Sequence, residues 1–280
     1  MIRRRTILTA AFALVLAGCR GTNPSPAAAL PTQAASQPAP SAAPVELNIL
    51  GAASLKGVLD KAKETYEAAS AGITLTVSTD SSSALETKVE QGAPADVFLS
   101  ADTTNPQKLI DGGFASGSIV AFAGNKLTII VPTDNPAGIT SPKDLARSDV
   151  DIIAAGDEVP ITRYAKQLVG ELAALPGYPA TFAADYAANV VSKEDNVKAV
   201  VGKIEFGQGD AGVVYVTDAA ASTKVTTIDV PDAANVPATY GAIVVKATTH
   251  PIEAQAFLTW LAGAQGQAIL AAFGFLPPPA

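Results

Sequence analysis

The chain has 280 residues, enough for one large domain or two lobes of ordinary size. Its 19 Lys and Arg against 26 Asp and Glu give a formal net charge of −7, which argues against nucleic acid or an anionic membrane surface as the partner. One cysteine, Cys19, and one histidine, His250, exclude an intramolecular disulfide, a Cys-based metal site, a His-dependent triad and a multi-His metal centre.

The first residues carry Arg3, Arg4 and Arg5, then an apolar run from Ile7 to Ala17, then Gly18 and Cys19. A basic start, a short apolar stretch and a small-residue exit describe a secretory signal peptide over residues 1–18. The run is too short to span a bilayer as a mature helix. Leu16-Ala17-Gly18-Cys19 resembles a bacterial lipobox, which implies cleavage before Cys19 and lipidation of its sulfur. Residues 19–44 are mostly Ala, Pro, Ser, Thr, Gln and Gly, a composition that cannot bury enough apolar surface to order itself. They read as a tether between a membrane anchor and a globular body.

From Val45 onward, short apolar runs alternate with amphipathic patterns. Leu47 to Leu50 predicts a strand, and Leu55, Val58, Leu59, Ala62 and Tyr66 a helix face. Ile73, Leu75 and Val77 alternate as a strand. Ser83 and Glu86 have capping-box spacing and open a helix through Val89. Asp96 to Leu99 predicts a strand and Pro106 to Ile110 a short helix. Lys126 to Pro132 predicts a strand, Ser141-Pro142 a helix start, and Asp151 to Ala154 a strand. Ile161, Ala165, Leu168, Val169 and Leu172 share one helix face; Val197, Val200, Val201 and Ile204 share another. Ala211 to Val216 and Tyr240 to Val245 predict strands, and Ile252 to Leu270 closes the chain as a helical region. This alternation predicts an α/β fold with mainly parallel sheets.

In such sheets, ligands bind beyond the carboxyl ends of the strands. Four strand-to-helix junctions stand out there, at Gly51 to Leu55, Asp80 to Leu85, Gly156 to Ala165 and Ser192 to Lys198. Each presents free N–H groups and the positive end of a helix dipole. Taken singly, a serine before a helix is an N-cap. Aimed at one cleft, such termini bind an anion without any formal positive charge.

The same junctions carry a resemblance. Ala53-Ser54-Leu55, Ser81-Ser82-Ser83, the block from Gly92 to Asp102, Gly124 to Leu127, Val159-Pro160 with Arg163-Tyr164-Ala165, Glu194 to Val197, Gly212 to Tyr215 with Asp218-Ala219, and Phe273-Gly274-Phe275 occur in that order. Over its whole globular body the chain resembles the periplasmic molybdate-binding protein family, the solute-binding components of molybdate ABC importers. The resemblance implies a two-lobed type II periplasmic-binding-protein fold, with residues 45–126 and 238–280 in lobe 1 and 127–237 in lobe 2. It implies a monomeric binding protein rather than an enzyme. The ligand would be molybdate or tungstate, with sulfate the alternative, and there would be no cofactor. The partners would be an ABC permease and its ATPase, met outside the cytoplasm.

Residue by residue, the resemblance assigns a hydroxyl and an N–H each to Ser54 and Ser82, backbone N–H groups to Ile161 and Val197, and a phenol to Tyr215. Molybdenum would be held as molybdate through these same five residues. The family has Pro-Ala-Gly where this chain has Pro160-Ile161-Thr162; the N–H of Ile161 survives, but its branched side chain stands to crowd the site. Arg163 reads as an outward-facing helix residue rather than an anion ligand. Asp102 and Asp157 read as cleft-lining or capping carboxylates. A serine hydrolase would need a base near Ser54 or Ser82, and His250 lies far along the chain in Thr248-Thr249-His250-Pro251.

Overall fold

The computed structural model describes residues 44–279. The expected signal peptide, Cys19 and the tether through residue 43 lie outside the described residues.

The first sheet is built around β1 (Val45–Ala52), with β2 (Ile73–Asp80) parallel on one side and β3 (Val97–Ser100) parallel on the other. Strand β4 (Ala115–Asn125) forms the far edge and pairs antiparallel with β10 (Ala238–Val245), which pairs antiparallel with β3. A short 3-10 turn, Ala53–Leu55, leads from β1 into α1 (Lys56–Ala69). Val58, Leu59, Ala62 and Tyr66 all turn to the sheet because they share one stripe of a 3.6-residue repeat. Gly51 lets this helix sit close: a Cβ there would come 2.3 Å from Leu59 Cδ1. Helix α2 (Ser82–Glu90) connects β2 to β3, and α3 (Thr104–Asp111) follows β3. The closing helices α8 (Pro251–Ala262) and α9 (Ala264–Ala272) return to this half. There Phe257 and Trp260 pack on the Tyr66 ring at 5.1 and 5.0 Å.

At Asn125–Lys126 the chain leaves the first sheet and enters β5 (Leu127–Pro132), whose six residues are all buried. Strands β8 (Gly212–Tyr215) and β9 (Val225–Ile228) flank β5, both antiparallel. β6 (Ile152–Ala155) and β7 (Val190–Glu194) are a parallel pair, joined to this layer by a bridge from Ile152 to Ala211. Helices α4 (Pro160–Ala174), α5 (Phe182–Ala188), α6 (Val197–Glu205) and α7 (Val216–Ala220) complete the second half. The returning segment is tied to the outgoing one by the Asn235 amide, which accepts from Leu127 N at 3.0 Å and donates to Leu127 O at 2.8 Å.

The α/β class with helix-flanked sheets is as expected, but the sheets are mixed rather than mainly parallel. Parallel pairing holds for β2-β1-β3 and β6-β7, which are linked through helices. The antiparallel pairings arise where the chain crosses between the two halves. β10 comes back without an intervening crossover helix, and a parallel neighbour would need one. Two local expectations also shift. Helix α2 starts two residues earlier than the Ser83–Glu86 spacing implied, with Ser81 rather than Ser83 as its N-cap. Ser141-Pro142 opens only a 3-10 turn, Pro142–Ala146, with Ser141 and Asp144 forming its capping box.

Candidate functional site

The carboxyl ends of β1 and β2 face the first turns of α4 and α6 and the end of β8. Between them lies a small cavity of about 210 Å³ of empty volume. Its walls include Ser54, Ser81 and Ser82 from the first half and Ile161, Asn196, Val197 and Tyr215 from the second. The five residues singled out from the sequence therefore share one cavity.

Each wall presents donors for a local reason. Ser82 is the first residue of α2, and its Oγ accepts from the buried Ala101 N–H at 3.0 Å, which leaves its own proton to donate elsewhere. Ser81 is the N-cap: its Oγ accepts from Ala84 N at 3.3 Å. Ile161 is the second residue of α4, after Pro160, and Val197 is the first of α6; at those places a backbone N–H has no intrahelical acceptor. Asn196 caps α6, its Oδ1 accepting from Ala199 N at 3.1 Å, while its Nδ2 reaches Asp80 Oδ1 at 3.4 Å in the other half. Ser54 sits in the 3-10 turn, with its Oγ 3.0 Å from Tyr240 Oη.

Tyr215 stands apart. It is 1% exposed, and its Oη has no hydrogen-bond partner among the described residues. A buried hydroxyl left unpaired costs about 1–3 kcal/mol, and Tyr215 borders the cavity, so its phenol is free to donate to a group that enters there. Burial pushes the phenol well above its ordinary pKa of 10, so it stays a neutral O–H donor.

The other candidates have separate places. Ile161 is 2% exposed, belongs to the hydrophobic core and also borders an adjacent, mostly apolar cavity of about 1070 Å³ of empty volume. Thr162 is spent internally, its Oγ1 donating to Ala155 O at 2.8 Å. Arg163 does not line the small cavity; it makes an ion pair with the buried Asp102 of the first half. Asp102 also accepts from Ser100 Oγ, Asn105 N and Asn105 Nδ2, each at 2.9 Å. Asp157 is on the surface, where Lys166 and Lys193 on either side hold its carboxyl down to about 2. His250 stands at the start of α8 and does not border the cavity. Among the described residues no three His, Cys, Asp or Glu side chains gather to hold a metal ion. Ser81, Asn196 and Asn125 fall inside the motifs quoted from the sequence but have no site role there, and Tyr240 reads only as part of a strand; a Ser or Asn directly before a helical stripe was the signal for the first two.

Residues 47–276 match the family model described as bacterial extracellular solute-binding protein. The chain belongs to that family. Its members bind solutes and are not enzymes. The chain is 32% identical over 273 residues to the molybdate-binding protein ModA of Mycobacterium tuberculosis, covering 97% of each. It is 31% identical over 233 residues to the putative ABC transporter substrate-binding lipoprotein YvgL of Bacillus subtilis, covering 82% of this chain and 86% of that one. The fold is also that of the Azotobacter vinelandii periplasmic molybdate-binding protein, at a TM-score of 0.70 and 25% identity over 83% of this chain and all of that one.

Proposed function

We propose that this solute-binding protein captures molybdate or tungstate in the small cavity and delivers it to an ABC permease and its ATPase. The observation that carries the reading is the Tyr215 phenol, buried and without a partner among the described residues, beside a cavity that Ser54, Ser82 and the first turns of α4 and α6 also border. Ser54, Ser82 and Tyr215 would donate through hydroxyls, and Ile161 and Val197 through backbone N–H groups. Donors alone suit a fully deprotonated tetrahedral dianion. Hydrogen phosphate brings an O–H that needs an acceptor, and a buried donor left unpaired costs about 1–3 kcal/mol. Sulfate meets the charge rule and would be rejected only by size. Names borne by the relatives support molybdate as the ligand.

In this reading residues 45–126 with 238–280 form one lobe and 127–237 the other, and they close on the anion as the Arg163–Asp102 pair forms across them. The protein would work as a monomer outside the cytoplasm, held to the membrane by lipid on Cys19 once residues 1–18 are removed. The lipoprotein relative supports that anchor. Calorimetry on the chain without its leader, with molybdate, tungstate, sulfate and phosphate, tests the ligand. One-to-one binding of the first two, with the others weaker by orders of magnitude, is expected. Preference for sulfate would reassign the cargo, and a folded protein that binds none of the four would overturn the reading.

A further inference from the structure

The direction of the Ser54 hydroxyl can be followed outward from the backbone. The Lys126 N–H can only donate, and it donates to Asn125 Oδ1 at 3.0 Å. That fixes the amide, so Asn125 Nδ2 faces Thr217 Oγ1 at 2.8 Å and Tyr240 Oη at 3.4 Å. A phenol oxygen that accepts from Asn125 has one proton left to give. The acceptor beside it is Ser54 Oγ, at 3.0 Å. Ser54 then accepts from Tyr240, and its own proton is left for the cavity that Ser54 lines. Asn125, Tyr240, Thr217 and Ser54 are all buried. Burial also pushes the Tyr240 phenol well above its ordinary pKa, so the proton it gives to Ser54 is not lost to solvent.

We propose that Tyr240, oriented by Asn125, is a specificity-determining positioning residue that fixes Ser54 as a donor and so bars oxyanions that carry a proton. The inference rests on the oxyanion reading of the cavity. Ser82 is fixed in the same sense by the Ala101 N–H. The two serines differ in how they can be released, because a side chain can be changed and a backbone N–H cannot. In Tyr240→Phe the ring keeps its edge contacts with Phe122 at 6.1 Å and Phe275 at 5.4 Å, and only the hydroxyl is lost. Ser54 is then free to accept as well as donate.

The test is a set of titrations with molybdate and with inorganic phosphate, at a pH where hydrogen phosphate dominates. Tyr240→Phe should weaken molybdate about tenfold and leave phosphate unchanged or tighter, so their affinity ratio falls at least tenfold. In a Ser54→Ala background the same change should leave the ratio where Ser54→Ala put it. Asn125→Asp supplies a second route should the first variant fold poorly. Its carboxylate would accept from both Lys126 N and Tyr240, turning Tyr240 into an acceptor and drawing the Ser54 proton out of the cavity. The added charge acts alike on two dianions and cancels in the ratio, which should again shift toward phosphate. Equal weakening of both anions, or a Tyr240→Phe effect that persists without the Ser54 hydroxyl, would overturn the relay while leaving the oxyanion site standing. A wild-type protein that binds no oxyanion would overturn both.

Discussion

Replacing Tyr215 by Phe should lower affinity for the anion without lowering stability. The phenol is buried, 1% exposed, and has no hydrogen-bond partner among the described residues. Deleting it breaks no hydrogen bond within the described residues. The ring itself stays wedged between Tyr164, at 6.3 Å, and Tyr240, at 5.7 Å. The unliganded variant should therefore melt no lower than the wild type. With a dianion bound, the same hydroxyl makes a hydrogen bond to charge, worth about 1.5–3 kcal/mol. At about 1.4 kcal/mol per factor of ten, its loss should raise the Kd by about 10- to 150-fold. Thermal unfolding of the free protein and calorimetric titration with molybdate read the two quantities separately. A variant that melts well below the wild type yet binds molybdate equally well would show that the phenol serves packing and not the anion.

Ser82→Ala should lower both quantities, because it removes a donor to the anion and strands the buried Ala101 N–H at a cost of about 1–3 kcal/mol; unchanged melting would contradict that bond. Arg163→Gln should raise the molybdate Kd at most about fivefold, through faster dissociation seen in stopped flow, because the Arg side chain is 46% exposed and a solvent-screened pair contributes about 1 kcal/mol or less. A larger loss would mean direct contact with the anion. Asp218→Asn should raise the melting temperature at neutral pH. Burial raises the pKa of Asp218 against the opposing pull of Lys198, so any stability from its protonated form is present below the unfolded-state pKa and lost as pH rises through the folded one. The gain from Asn should fade as the pH is lowered through that folded value, and a gain that persists in acid would refute the titration argument. Added salt should speed molybdate association, because the acidic chain repels a dianion at long range; stopped-flow rates that fall with salt would point to a local cationic funnel instead.

Much of the fold was legible because its helices are amphipathic and its inner strands are continuous apolar runs. The stripe Val58-Leu59-Ala62-Tyr66 and the run Leu127 to Pro132 are both where the pattern puts them. What escaped reading has weaker patterning. Strand β4 begins with small and polar residues that are partly exposed, Ala115 to Ser118, and is defined by its pairing with β10 rather than by burial. Helix α5 is only seven residues, and β7 alternates without a fully buried position. The closing helical region reads as continuous from Ile252 to Leu270, yet it breaks at Gly263. For the site, Ser54, Ser82, Ile161, Val197 and Tyr215 were reachable because each sits at a strand end or helix start. Tyr240 and Asn125 were not, since their roles depend on which strand crosses beside Ser54, a property of the antiparallel return and not of any local motif.

The placement of charge around the cavity explains how an acidic chain can hold a dianion with neutral groups. Three carboxylates lie close behind its walls, and each has a cation of its own: Asp80 pairs with Lys88 at 3.0 Å, Asp218 with Lys198 at 2.9 Å, and Asp102 with Arg163. Asp80 also accepts from the Ser81 N–H at 2.8 Å, next to the first turn of α2. Neutralised in pairs, these groups leave the field inside the cavity to the ends of α2, α4 and α6, where unpaired N–H groups carry partial positive charge. A lysine or arginine in the cavity would bind dianions and monoanions alike through charge. Fixed donors bind only what can accept from all of them at once, so selectivity resides in the direction of protons, and for Ser54 that direction is set two side chains away.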